Sequence, residues 1–288
     1  MITEKAPAKL NLYLHVGAVR DDGLHDLRSL FVFTEDGDRV SAAPGDAVTL
    51  EIAGPFAAAL RPFPVEDNLV VKAARLLKEE CGVGAGAALR LEKNLPVAAG
   101  IGGGSADAAA ALRALQKLWA VELPAERLEA LAFRLGADVP ACLSGAPVDV
   151  SGAGETLSPG PELPPLWACL VNSGIEMPTG PVFRAYDAAH PAPAVPSAPR
   201  LRDASCEAVA ALMRESRNDL ERAALELAPQ IRDMLDALGQ TPGVIAARMS
   251  GSGATCFALY KAHDEAKAAA EAMRARSWWA MASKLIAD

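Results

Sequence analysis

Leu95-Pro96-Val97-Ala98-Ala99-Gly100-Ile101-Gly102-Gly103-Gly104-Ser105-Ala106-Asp107 is the stretch on which the reading of this chain turns. Before it, Ala87 to Leu95 reads as a strand that stops at Pro96. After it, Leu112, Leu115 and Trp119 recur at helical spacing and predict an amphipathic helix from Ser105 to Trp119. Ser105 suits the N-cap, with Asp107 in the first turn. Glycine fills every position from 100 to 104 except Ile101, so no Cβ blocks a close approach and successive N–H groups can share one concavity. The positive end of the helix dipole is aimed at the same place. These properties suit a polyphosphate. Two familiar phosphate motifs do not fit: no Lys follows the second Gly as GxxxxGK[ST] requires, and Ser105 stands where GxGxxG needs its third Gly. A flexible connector is the alternative, disfavoured because the cluster opens directly into a helix.

Three other places carry polar groups with chemical potential. Residues 8–16 alternate, with Leu10, Leu12, Leu14 and Val16 facing one way and Lys9, Asn11, Tyr13 and His15 the other. Lys9 and Asn11 therefore project together, either into solvent or into a site. Asp138 follows the Gly136 stop of a helix predicted over Pro124 to Leu135, and suits either a cap or a general base. Met249 to Thr255 is a second Gly/Ser turn, either a plain hairpin or a second wall of the same anionic site.

Further strands are expected at Phe31 to Phe33, Ala47 to Ile52, Leu166 to Asn172, Ala246 to Met249 and Thr255 to Tyr260. Gly37-Asp38 and Pro44-Gly45 read as punctuation, and helices are expected over Asn68 to Glu80, 204–215, 218–238 and Asp264 to Arg276. The Pro-rich stretch from His190 to Arg200 reads as a long loop. Helices and strands mix without regular alternation, which predicts an α+β fold. The length, 288 residues, suggests two domains; the run from Pro159 to Pro165 is the expected junction, giving 1–157 and 158–288.

A net charge of −8 and a pI near 5.2 argue against nucleic acid and against an anionic membrane surface as partners. No apolar run approaches the ~18 residues of a membrane span, and Asn11 and His15 interrupt the N-terminal apolar stretch, so no signal peptide is expected. Five scattered cysteines form no CxxC pair and the four histidines no HExxH, which predicts a reduced, cytoplasmic protein without a structural metal. Oligomeric state is not legible.

Pro96 to Asp107 resembles the central phosphate motif of the GHMP kinase superfamily, which includes galactokinase, homoserine kinase, mevalonate kinase and phosphomevalonate kinase; Ser250-Gly251-Ser252-Gly253-Ala254 resembles its C-terminal motif. Within it, Pro7-Ala8-Lys9-Leu10-Asn11-Leu12, Asp22-Gly23-Leu24-His25, Asp67-Asn68-Leu69-Val70, Leu135 to Pro140, Gly152-Ala153-Gly154-Glu155 and Pro178 to Phe183 are similar to the family of 4-diphosphocytidyl-2-C-methyl-D-erythritol kinases. The resemblance implies an N-terminal domain like the second half of ribosomal protein S5, a C-terminal α+β domain and a site in the cleft between them. It implies ATP-dependent phosphorylation of the 2-hydroxyl of 4-diphosphocytidyl-2-C-methyl-D-erythritol, with Mg²⁺ accompanying ATP and no identifiable protein ligand for it. By matching positions, Asp138 is the base and Lys9 its partner; Pro96, Val97, Ala98, Ala99, Gly100, Ile101, Gly102, Gly103, Gly104, Ser105 and Ala106 hold the phosphates. Asn68 and Lys93 fall on the adenosine side, and Asn11, His25, Thr179 and Phe183 line the acceptor pocket. Two departures are visible: Leu24 replaces the family's Tyr before the substrate His, and Ala106 replaces a second Ser. Another kinase of the superfamily, an RNA-binding module and a Rossmann dehydrogenase are the rival readings.

Overall fold

The computed structural model describes residues 1–189, 195, 197 and 199–287. In chain order the first elements are β1 (Ile2–Val19), β2 (His25–Gly45), β3 (Val48–Ala53), α1 (Ala57–Leu60), α2 (Leu69–Glu80), β4 (Gly86–Glu92), α3 (Gly103–Trp119), α4 (Ala125–Leu135) and α5 (Val139–Ser144). There follow β5 (Val148–Gly152), β6 (Thr156–Pro159), β7 (Trp167–Asn172), α6 (Thr179–Ala189), α7 (Cys206–Glu215), α8 (Glu221–Leu227), α9 (Gln230–Gly239), β8 (Ala246–Met249), β9 (Cys256–Tyr260), α10 (His263–Arg274) and β10 (Trp279–Lys284).

Two compact units emerge: Met1–Ala8, Asp36–Val97 and Gly102–Gly145 form one, and Lys9–Glu35, Ala98–Ile101 and Ala146–Asp288 the other. This differs from a single division at 157/158, because β1 and β2 are long enough to contribute residues to both units.

In the first unit β4 is central, antiparallel to β2 and parallel to β3. Its alternation is plain: Ala87, Leu89 and Leu91 are buried while Ala88 and Arg90 are exposed. Helices α2 to α5 pack on one another. Six alanines of α3 (Ala106, Ala108, Ala109, Ala110, Ala111 and Ala114) are buried, and their small size lets neighbouring helices approach on several sides. The second unit holds the β2–β5–β6 edge and a four-stranded antiparallel sheet ordered β10-β7-β9-β8. Every residue of β9 is buried, and its core includes Val171, Met234, Leu238, Met249, Tyr260 and Met273.

The structure corrects several sequence expectations. β2 runs straight through Gly37-Asp38 because Gly37 lies against the backbone of Ala6 and Asp38 is buried with partners of its own. α3 begins at Gly103, capped by Gly102, so Ser105 is its third residue and Asp107 lies past the first turn. The helix expected over 218–238 is two, α8 and α9, interrupted at Ala228-Pro229 where Pro supplies no N–H. β10 carries no clean alternation in sequence and goes unpredicted. The loop expected over 190–200 lies largely outside the described residues.

Candidate functional site

Both faces of β1 are buried over its middle, so the solvated-face alternative for Lys9 and Asn11 fails: they are 4% and 1% exposed. Lys9 Nζ donates to Asn11 Oδ1 at 3.0 Å and sits 4.2 Å from the centre of the Phe31 ring. Asn11 Nδ2 donates to Ser29 Oγ at 2.9 Å, and that hydroxyl donates to the Tyr13 carbonyl. The side chains are thus held by neighbours on β1 and β2.

Residues Ala98–Ile101 belong to the same unit and are pinned by their backbone. Lys9 N–H donates to the Ile101 carbonyl at 2.9 Å, Met177 N–H to Ala98 at 2.9 Å and Thr255 N–H to Ala99 at 3.1 Å. Ser250 Oγ donates to the Gly100 carbonyl at 3.0 Å. Gly100, at φ +73°, faces this turn so closely that a Cβ would stand 2.5 Å from the Ser250 carbonyl oxygen. The Ser250–Ala254 segment is a β8–β9 connection, as a hairpin reading expects, and it also seats the Gly100 segment. Asn218 steadies it by donating to the Met249 and Gly251 carbonyls at 2.9 and 2.8 Å. Thr179, opening α6, shares a 3.2 Å hydrogen bond with Ser252.

His25 and Phe183 are brought together, ring centres 4.9 Å apart. His25 Nδ1 lies 3.0 Å from the Gly17 carbonyl and Nε2 3.3 Å from Asp187 Oδ1. Leu24, beside it, is exposed.

In the other unit, α3 closes its first bond from Ala106 N–H to Gly102 at 2.9 Å, so the N–H groups of Gly103, Gly104 and Ser105 have no intrahelical acceptor. Gly102, the N-cap of α3, has φ +64°, and Ala98 and Gly100, in the unit of Lys9, have φ +50° and +73°. Asn68 caps α2 through Oδ1, which accepts from Val70 N–H at 2.9 Å. Lys93 is buried, paired with Asp38 at 2.5 Å and Asp107 at 2.7 Å. Asp138 occupies the N-cap position of α5 without a capping hydrogen bond from its side chain. Pro96, Val97 and Ala106 flank the glycines on either side.

Sequence reasoning did not anticipate Asp38, Asp107, Asn218 or Asp187 as partners of these residues, because the pairings join residues 14 or more positions apart and leave no local signal. Among the described residues, no group of three or more His, Cys, Asp or Glu could hold a metal ion, and all five cysteines are free. No helix among them is long and apolar enough to cross a membrane.

Comparison with known proteins identifies the family. Residues 68–146 match the GHMP kinase N-terminal domain and residues 201–277 the GHMP kinase C-terminal domain. A solved homoserine kinase from Cytophaga hutchinsonii, 20% identical, shares the fold at a TM-score of 0.68 over 98% of this chain and 95% of that one. The class is therefore that of the GHMP kinases, with an α+β fold. A solved 4-(cytidine 5'-diphospho)-2C-methyl-D-erythritol kinase superposes with a TM-score of 0.78 at 37% identity, covering 98% of both chains. Kinases named 4-diphosphocytidyl-2-C-methyl-D-erythritol kinase from Parvibaculum lavamentivorans and Paramagnetospirillum magneticum are 50% and 48% identical, over 96% and 98% of both chains. The chain belongs to this family of 4-diphosphocytidyl-2-C-methyl-D-erythritol kinases.

Proposed function

We propose that the chain transfers the γ-phosphoryl group of ATP to the 2-hydroxyl of 4-diphosphocytidyl-2-C-methyl-D-erythritol, in the non-mevalonate route to isoprenoid precursors. The observation that carries this reading is the hydrogen-bonded cluster that joins Lys9, Asn11, Gly100, Ile101 and Ser250 in one unit. An ammonium and an amide in one hydrogen-bonded cluster with Gly100 and Ile101 support a phosphate-binding role for that segment. The near-full-length likeness to kinases of that name supports the choice of acceptor.

In this reading Asp138 takes the proton of the acceptor hydroxyl as its oxygen bonds to the γ-phosphorus and the bond to the β-phosphate oxygen breaks, releasing ADP. Lys9 orients that carboxylate and offsets developing negative charge. The amides of Pro96 to Ala106, Pro96 itself excepted for want of an N–H, cradle the phosphates. Asn68 and Lys93 serve the adenosine side. Asn11, His25, Thr179 and Phe183 hold the acceptor, with Phe183 stacking on cytosine. Mg²⁺ bound together with ATP would neutralise phosphate charge; among the described residues no cluster of three or more His, Cys, Asp or Glu would hold it. We further assign residues 1–157 and 158–288 to the two family domains, and a cytoplasmic location.

The test is ATP consumption with diphosphocytidyl-methylerythritol, mevalonate and homoserine. Only the first is expected to support turnover; turnover with either of the others in its place would refute the assignment.

A further inference from the structure

A buried ionic triad lies at the two ends of the phosphate segment. Lys93 donates to Asp38 Oδ2 at 2.5 Å and to Asp107 Oδ2 at 2.7 Å, and all three side chains are at most 4% exposed. Asp38, from the middle of β2, also accepts the N–H groups of Asn94 at 2.5 Å and Leu95 at 2.8 Å through Oδ1. Asp107 lies on α3, two residues past Ser105. One lysine head thus ties the chain entering the segment to the helix leaving it. Gly103 is part of the fit: a Cβ there would stand 3.1 Å from Lys93 Nζ, which two carboxylates hold in place.

We propose that Asp38, Lys93 and Asp107 form a buried staple that fixes the spacing of the two ends of the phosphate segment, so that Asp38 and Asp107 are positioning residues for the nucleotide's phosphates. This rests on the kinase reading and gives Lys93 its part on the nucleotide side: it acts through the backbone it fastens.

The staple also has a place for a proton. Two ionised carboxylates on one ammonium leave a net negative charge, and Asp107 Oδ1 is buried with no hydrogen-bond partner. An ionised oxygen in that position is costly, and protonation removes the cost. The Asp107 carboxyl is accordingly pushed up to about 7 by burial, with Lys93 opposing and Asp38 reinforcing the shift. Lys93 and Asp38 are the charged groups that face it; the buried residues of α2 and α5, which pack on α3, are apolar. At higher pH the staple is anionic beside a site for phosphates, and at lower pH it is neutral.

Calorimetry with a non-hydrolysable ATP analogue and, separately, diphosphocytidyl-methylerythritol tests this on the full chain at about pH 6 and 8. Asp107→Ala is expected to weaken nucleotide binding at least ~10-fold while moving acceptor affinity by no more than about two-fold. Asp107→Asn, permanently neutral and of the same shape, is expected to restore most of the affinity. It is also expected to lose the part of the wild-type weakening between the two pH values that exceeds the analogue's own titration. Unchanged nucleotide affinity in Asp107→Ala, equal loss of both ligands, or a wild-type pH response in Asp107→Asn overturns the staple. Failure of the unsubstituted chain to bind the analogue overturns the kinase reading itself.

Discussion

Asp138 stands between the end of α4 and the first turn of α5, its backbone held by bonds from Val139 N–H to the Gly136 carbonyl at 3.0 Å and from Cys142 N–H to its own carbonyl at 3.1 Å. A base needs that fixity, because proton transfer depends on reach before it depends on basicity. Asp138→Asn is expected to lower turnover by about 10²–10⁴-fold while ATP affinity stays within about two-fold. Steady-state rates and calorimetry check both halves, and near-normal turnover would remove Asp138 from the chemistry. His15 makes a different point. It is 4% exposed, and neither ring nitrogen has a hydrogen-bond partner. Burial holds its pKa below the ordinary 6.5, Arg217 and Arg248 add to that, and Asp219 opposes it. The unfolded chain therefore takes up this proton more readily than the folded one. Stability from this position is full above 6.5 and is lost as pH falls through and below that value. In His15→Leu the melting temperature is expected to fall less steeply on acidification; parallel curves for the two proteins would contradict this.

At the scale of elements, the Gly-rich segment and the β8–β9 turn hold each other by backbone. Gly100→Ala puts a methyl group 2.5 Å from the Ser250 carbonyl oxygen at a left-handed φ of +73°. The expected loss is about 2–4 kcal/mol in urea unfolding, and a variant as stable as the original would show that the turn gives way. The strands and helices around these segments were largely legible, since α2 and α4 have helical periodicity and β7, β8 and β9 are short runs with marked ends. The misreadings share a cause. Gly37-Asp38 looked like a break because Asp38 finds its partners 55 and more residues away, at Lys93 and beyond. Lys9 and Asn11 looked half-solvated because what covers them comes from later in the chain. Motifs nominate the candidate site's residues, but not their hydrogen-bond partners, because tertiary pairing leaves no local period.

For the whole molecule, a net charge of −8 offers no general attraction to an anionic nucleotide, so affinity must come from placed backbone N–H groups and a few cations. A nucleotide that binds only the folded chain stabilises it by about 2.7 kcal/mol at 100 times its Kd. Scanning calorimetry with ATP should therefore raise Tm by several degrees, and an unmoved Tm would argue against the cradle. Since all five cysteines are free, adding a reductant should leave the melting curve unchanged; a drop would reveal a disulfide that this fold does not contain.

The grip of Ser250 on the Gly100 carbonyl spans 150 positions of the chain. A ribosome adding about 5–20 residues per second takes on the order of ten seconds to make that span. The segment around Gly100 thus leaves the exit tunnel well before its seat exists, and a nascent chain cannot lock the Gly-rich segment in place until translation has passed the β8–β9 turn.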